Sequence, residues 1–181
     1  MSDKLKKALF LDRDGVINLD HGYVYKTEDF EFIDGIFDLC KAARKKGYLI
    51  FVVTNQSGIG RGLYTEQDFH ALTKWMEKRF AEEGTKIDKV YYCPYHEEHG
   101  IGKYKKYSND RKPNPGMILK AEKEFGIDLS QSIILGDNEK DIEAGIAAGI
   151  GLKILFPGEG EVPKTRADRV VESLSEVIKL L

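Results

Sequence analysis

With 181 residues, 41% of them hydrophobic and 32% charged, the chain has the composition of a globular protein with one well-buried core, outside the disordered and membrane classes. Its 28 lysines and arginines against 30 aspartates and glutamates leave a formal net charge of -2, which gives no global attraction to nucleic acid or to an anionic membrane. Cys40 and Cys93 make no disulfide framework, and the first apolar run, Ala8 to Leu11, is too short for a signal peptide, so a reducing, cytoplasmic setting is expected.

Leu9 to Asp12 predicts a strand that delivers the pair Asp12 and Asp14, followed by Gly15, to its own C-terminal tip. A helix is expected from Gly35 to Lys46, with Ile36, Leu39 and Ala43 on one face and Gly47 ending it. Tyr48 to Val53 is a continuous apolar run rich in branched residues, the pattern of a strand buried on both faces. Thr65 opens a helix whose apolar face, Phe69, Leu72, Trp75, Met76 and Phe80, carries it to Glu83. Lys89 to Cys93 reads as a strand, Pro115 to Phe125 as a helix stopped by Gly126, and Ser132 to Gly136 as a strand. Asn138 to Ala148 is a further helix, Leu152 to Phe156 a fifth strand and Leu174 to Leu181 a final helix. This alternation predicts an α/β fold, a parallel sheet with helices on both faces, in a single domain spanning residues 1–181. Two connections, Asn18 to Asp34 and Pro94 to Asn114, are longer than that framework needs; both follow strand ends and are expected over the ligand crevice.

The chemistry collects at the strand ends, which border the crevice of an open parallel sheet. The first supplies Asp12 and Asp14, the second Thr54, Asn55, Gln56 and Ser57, the segment beyond the third Arg111 and Lys112, and the fourth Asp137, with Asp141 one helical turn on. Together they hold what phosphoryl transfer requires: a carboxylate nucleophile, a hydroxyl near backbone N–H groups for phosphate oxygens, a lysine for charge and a further carboxylate for Mg²⁺. Each part has a plainer reading: Thr54 and Asn55 as a strand end, Lys112 as solvated surface, Asp137 as a helix cap. A calcium loop is excluded, because Val16 and Ile17 stand where it needs an acidic or amide residue and glycine. The stretch Gly58-Ile59-Gly60-Arg61-Gly62 is neither a P-loop nor a dinucleotide fingerprint, although Arg61 is placed to reach a ligand. Four such parts in order, each at a strand end, argue for one site.

On these residues the chain resembles the haloacid dehalogenase (HAD) superfamily of phosphatases. Asp12-x-Asp14-Gly15-Val16, Thr54, Lys112 and Gly136-Asp137 with Asp141 stand as its four motifs. Within it the chain is most similar to the D-glycero-D-manno-heptose-1,7-bisphosphate 7-phosphatases, through Asp20-His21-Gly22-Tyr23-Val24, Phe30 to Gly35, Thr54 to Ile59, Tyr91 to Pro94 and Arg111 to Met117. The resemblance implies a Rossmann-like HAD fold without a large cap domain. It implies Asp12 as nucleophile, Asp14 as general acid and base, and Thr54 and Lys112 on the phosphoryl oxygens. Mg²⁺ is implied on Asp12, Asp137 and the Asp14 carbonyl. Asp20, His21, Gly22, Tyr23 and Arg111 would face the sugar and its second phosphate, a role an arginine fork suits.

Two departures stand out. Relatives often hold a structural zinc after the third strand; here Cys93 remains, but Tyr95, Ser108 and Asp110 occupy the other ligand positions, so no zinc is expected and the loop is expected to rely on Tyr92, Tyr95, Tyr104 and Tyr107. Asn138 replaces a lysine that relatives often carry after the metal aspartate. Histidinol-phosphate phosphatase shares the scaffold, but Asp20 to Tyr23 favours the heptose family. A nucleic-acid 3′-phosphatase would want a basic groove, and a silent binding protein would not need the intact Asp12, Asp14, Thr54, Lys112 and Asp137. The expected partner is thus a small phosphorylated sugar, with no nucleic acid or membrane, acted on by a monomer.

Overall fold

The structure, a computed structural model, describes residues 4–181. Strands β1 (Lys7–Leu11), β2 (Tyr48–Asn55), β3 (Lys89–Cys93), β4 (Ile133–Gly136), β5 (Leu152–Leu155) and β6 (Arg169–Val170) are all parallel, in the order β3-β2-β1-β4-β5-β6. Between them run helices α1 (Ile36–Lys45), α2 (Ser57–Gly60), α3 (Glu66–Glu82), α4 (Gly116–Phe125), α5 (Glu139–Ala148) and α6 (Leu174–Ile178). Among the described residues no separate cap is inserted and no helix is long and apolar enough to cross a membrane.

Side-chain alternation divides the strands between two cores. Leu9, Leu11, Ile50, Val52, Ile133 and Leu135 pack with α1, α3 and α6, while Ala8, Phe10, Phe51, Val53 and Ile134 pack with α4 and α5. Burial on both faces is why these strands read as unbroken apolar runs. The chain builds outward from β1 through β2 to β3, then returns to the other side of β1 for β4, so the order reverses at β1 and a crevice opens at the strand tips there.

The structure departs from the sequence-based expectations at ends and edges. Asp12 lies just beyond β1, Pro115 caps α4 instead of beginning it, and α6 stops at Ile178. Thr65 and Asn138 each close a capping box, on Asp68 and Asp141. β6 was not anticipated: it is two exposed residues at the sheet edge with no apolar run to mark it. Nor was α2, whose two glycines are poor helix formers; a Cβ on Gly58 would run into the Tyr64 ring, so packing dictates the glycine.

Candidate active site

At the reversal point the pairing of Leu11 with both Val52 and Leu135 sets Asp12 between the tips of β2 and β4, where its N–H donates to the Leu135 carbonyl at 3.1 Å. Lys112 enters from the long connection and is only 3% exposed. Its Nζ lies 3.0 Å from Asp12 Oδ1 and donates to Asp141 Oδ1 at 2.5 Å and to the Val53 carbonyl at 2.8 Å. Asn55 holds the Lys112 backbone from both sides, its Nδ2 donating to the carbonyl at 3.0 Å and its Oδ1 accepting from the N–H at 2.9 Å. The other Asp141 oxygen accepts from the Asn138 N–H at 3.2 Å, so the start of α5 and the position of Lys112 depend on one buried carboxylate. Gly15, at φ +90°, is required twice over, since a Cβ there would be strained and would overlap the Asp137 carboxylate.

Asp12, Asp137 and Asp141 bring carboxylate oxygens within 4.8 Å of one another. Burial, and then the charge of Asp141, raise the Asp12 carboxyl well above its ordinary value against the pull of Lys112. Burial and Asp141 likewise push Asp137 up to about 6. Burial pulls the Lys112 ammonium down, but Asp12 and Asp141 together outweigh it and hold it above the ordinary lysine range. Three crowded carboxylates with one nearby ammonium fit a divalent cation. The all-oxygen donor set is that of a hard ion, and Asp141, already engaged by Lys112 and Asn138, is the member least free to bind it.

The tips open into a cleft of about 300 Å³ lined by Asp12, Asp14, Lys112 and Asp137, by Asp20, Gly22 and Tyr23 of the first long connection, and by Asn55, Gln56 and Ser57. Tyr23 is 48% exposed there and sits at φ +51°. Four expected residues lie elsewhere. Thr54 stands behind the wall, its Oγ1 accepting from Gln56 Nε2 at 2.9 Å. His21 faces outward, with Nε2 3.4 Å from Glu31 Oε2. Arg111 lines a neighbouring cavity of about 340 Å³ with His96, Lys106 and Asn114, and Arg61 also stands off the cleft. Burial, and further the Arg61 charge, lower the Arg111 guanidinium, and each arginine keeps one buried nitrogen without a partner.

Sequence reading missed Arg13, Gly58, Tyr64 and Lys140. Lys140, Tyr64 and Gly58 line the cleft, and Arg13 grips Asp14 from behind. A cation between two aspartates was the available signal for Arg13; Tyr64 has none, because only the fold carries it back to Gln56.

In the second connection Cys93, Ser108 and Asp110, the sequence positions that bear on zinc, are engaged in other contacts. The Cys93 thiol is buried and pushed up by that burial, Ser108 Oγ accepts from the Asp110 N–H at 3.1 Å, and Asp110 pairs with Lys120. Tyr92 and Tyr104 secure the loop by donating to the two oxygens of Glu66 at 2.6 Å and 2.8 Å, and Tyr95 packs 6.0 Å from Tyr104. Tyr107, expected to join them, is exposed, since the chain turns it to the surface.

A HAD-hydrolase-like family model matches residues 109–177. The chain is 54% identical over 97% of its length, and 93% of the relative's, to the D-glycero-alpha-D-manno-heptose-1,7-bisphosphate 7-phosphatase of Burkholderia mallei. It is 53% identical over 83% of its length, and 81% of the relative's, to the D-glycero-beta-D-manno-heptose-1,7-bisphosphate 7-phosphatase of Vibrio cholerae. The crystal structure of the D,D-heptose 1,7-bisphosphate phosphatase from B. bronchiseptica, complexed with magnesium and phosphate, superposes with a TM-score of 0.79 at 26% identity, covering 96% of this chain and 97% of that one.

Proposed function

Because the chain belongs to the heptose-1,7-bisphosphate 7-phosphatase family of HAD-like hydrolases, we propose that it removes the 7-phosphate of D-glycero-D-manno-heptose 1,7-bisphosphate through an aspartyl-phosphate on Asp12, in nucleotide-activated heptose biosynthesis. The observation that carries this reading is Asp12 at the β1 tip, held against Lys112 and beside Asp137 in a cleft that also contains Asp14. Asp12 Oδ attacks phosphorus as the bond to the sugar oxygen breaks, and Asp14 gives that oxygen its proton. Asp14 then takes a proton from the water that attacks phosphorus and cleaves the acyl phosphate on Asp12. Lys112 and the Asn55 to Ser57 segment receive the phosphoryl oxygens, with Thr54 behind them orienting Gln56, and their fixed positions stabilise charge without rearrangement. Mg²⁺, held by Asp12, Asp137 and the Asp14 carbonyl, would offset the carboxylate crowding and neutralise phosphoryl charge. Asp20, Gly22 and Tyr23 would recognise the sugar, Arg111, in the neighbouring cavity that shares Lys112 and Lys140 with the cleft, would take its remaining phosphate, and the enzyme acts as a cytoplasmic monomer without nucleic-acid or membrane partners.

The test is phosphate release with Mg²⁺ from the α and β anomers of the heptose bisphosphate, from histidinol phosphate and from fructose 1,6-bisphosphate. Relatives named for each anomer stand at 54% and 53% identity, so both are assayed. A preference for one anomer of a hundredfold or more in kcat/KM, about 2.7 kcal/mol, is the expected result. Equal slow release from every ester sinks the substrate assignment, and release that persists in excess chelator sinks the metal.

A further inference from the structure

Arg13, between the two aspartates, is a buried cation that does not line the cleft, with 2% of its surface exposed. Its Nη2 donates to the Val24 carbonyl at 2.7 Å and to Asp14 at 2.9 Å (Oδ1) and 3.2 Å (Oδ2), and its Nε lies 3.3 Å from Oδ1. The rings of Phe30 and Phe69 lie with centroids 5.9 Å from the guanidinium carbon. Asp14 Oδ1 also accepts from Asn18 Nδ2 at 3.0 Å, and Oδ2 from Gln56 Nε2 at 3.1 Å. Gln56 is oriented in turn by the buried Tyr64 hydroxyl, which donates to its Oε1, and the Tyr64 ring stacks on Tyr25 with centroids 5.1 Å apart.

We infer that Arg13 is the positioning residue for proton transfer, its fork fixing the Asp14 carboxyl at the cleft wall while Tyr64 does the same for Gln56 from the other side. The inference rests on the phosphatase reading above. Oδ1, with three donors around it, is occupied; Oδ2, with two, is the oxygen left to carry the proton. That proton passes from Oδ2 to the sugar oxygen as the phosphorus–oxygen bond breaks and the Asp12–phosphorus bond forms. A lysine in place of Arg13 keeps the charge but not the planar fork, so it cannot hold both carboxyl oxygens and the Val24 carbonyl together.

The experiment compares kcat/KM, which reports the first phosphoryl transfer, on the heptose 7-phosphate ester and on p-nitrophenyl phosphate, whose leaving group departs without a proton. For Arg13→Lys we expect kcat/KM on the sugar ester to fall at least tenfold more than on the aryl ester. Tyr64→Phe, which keeps the stacked ring and removes the hydroxyl, is expected to shift the ratio in the same direction by about threefold. Equal losses on both esters, or none on either, overturn the role of Arg13 while leaving the phosphatase reading intact. A wild-type protein that cleaves neither ester overturns both.

Discussion

The two walls of the cleft are built on opposite plans. On the strand-tip wall, Asp12, Lys112 and Asp141 are buried or nearly so, cross-bonded, and carry more negative charge than one ammonium offsets. On the loop wall, Tyr23 is half exposed, and the Asp20 carboxylate does no more than accept from the Gly22 N–H at 2.9 Å in a local turn. The first wall is preorganised by the sheet and stores unfavourable charge that a bound cation or a proton relieves. The second costs the fold little and is free to select a ligand. The proposed function thus assigns reaction chemistry to the buried, cross-bonded wall and recognition to the wall with little structural duty.

Removing Lys112 is expected to break the tip wall most completely. Lys112→Ala leaves Asp12 and Asp141 without their shared partner, so stability falls by about 3–5 kcal/mol in chemical denaturation. Phosphate release drops by roughly a thousandfold in variants that still fold. A loss confined to KM would mean that Lys112 only binds.

Charge crowding on the same wall makes a pH prediction. A carboxyl raised in the folded state stabilises the fold below its unfolded value and loses that contribution as pH rises through its folded value. For Asp137, from 3.8 to about 6, metal-free protein loses about 3 kcal/mol across that window, and Asp12, shifted the same way, adds to the loss. Saturating divalent cation flattens this dependence, and Asp137→Asn removes the Asp137 share without metal while abolishing activity. Denaturation midpoints against pH in excess chelator check it, and identical profiles for wild type and variant would show the crowding to be relieved some other way.

Substitutions on the loop wall sharpen the contrast because they spare stability. Tyr23→Ala should raise KM roughly tenfold with kcat within about threefold, whereas His21→Ala, whose ring faces Glu31, should change KM less than about twofold. Steady-state kinetics on the heptose bisphosphate separate the two, and an effect of His21→Ala as large as that of Tyr23→Ala would place the histidine at the ligand. The smallest effect is expected outside the cleft. Glu66→Gln, in the tyrosine clamp of the second connection, should cost about 1 kcal/mol of stability and leave kcat unchanged.

Both long connections follow strand ends, yet only one delivers a stretch of chain to the cleft. The first is pinned back by backbone pairing, Leu19 N–H to Glu31 and Ile33 N–H to Ile17, and by Phe30 and Phe32 packed on Trp75. The second turns aside after β3 and returns one cleft residue, Lys112. A connection's length in sequence shows that it exceeds the framework's needs but not which way it leaves.

By itself the sequence determined five of the strands and five of the helices, the parallel architecture and the placing of Asp12, Asp14 and Asp137 at strand ends. Each of these follows from local periodicity or from position at the end of an apolar run buried on both faces, whereas the place of Lys112, in a long connection, follows only from the family resemblance. Only the tertiary structure decided that Thr54 stands behind Gln56, that Arg111 lines a different space and Arg61 stands off the cleft, that Arg13 holds Asp14 and that Tyr64 fixes Gln56. A side chain's direction at a loop position, and a partner drawn from another segment, depend on packing between distant parts of the chain, which no local pattern encodes.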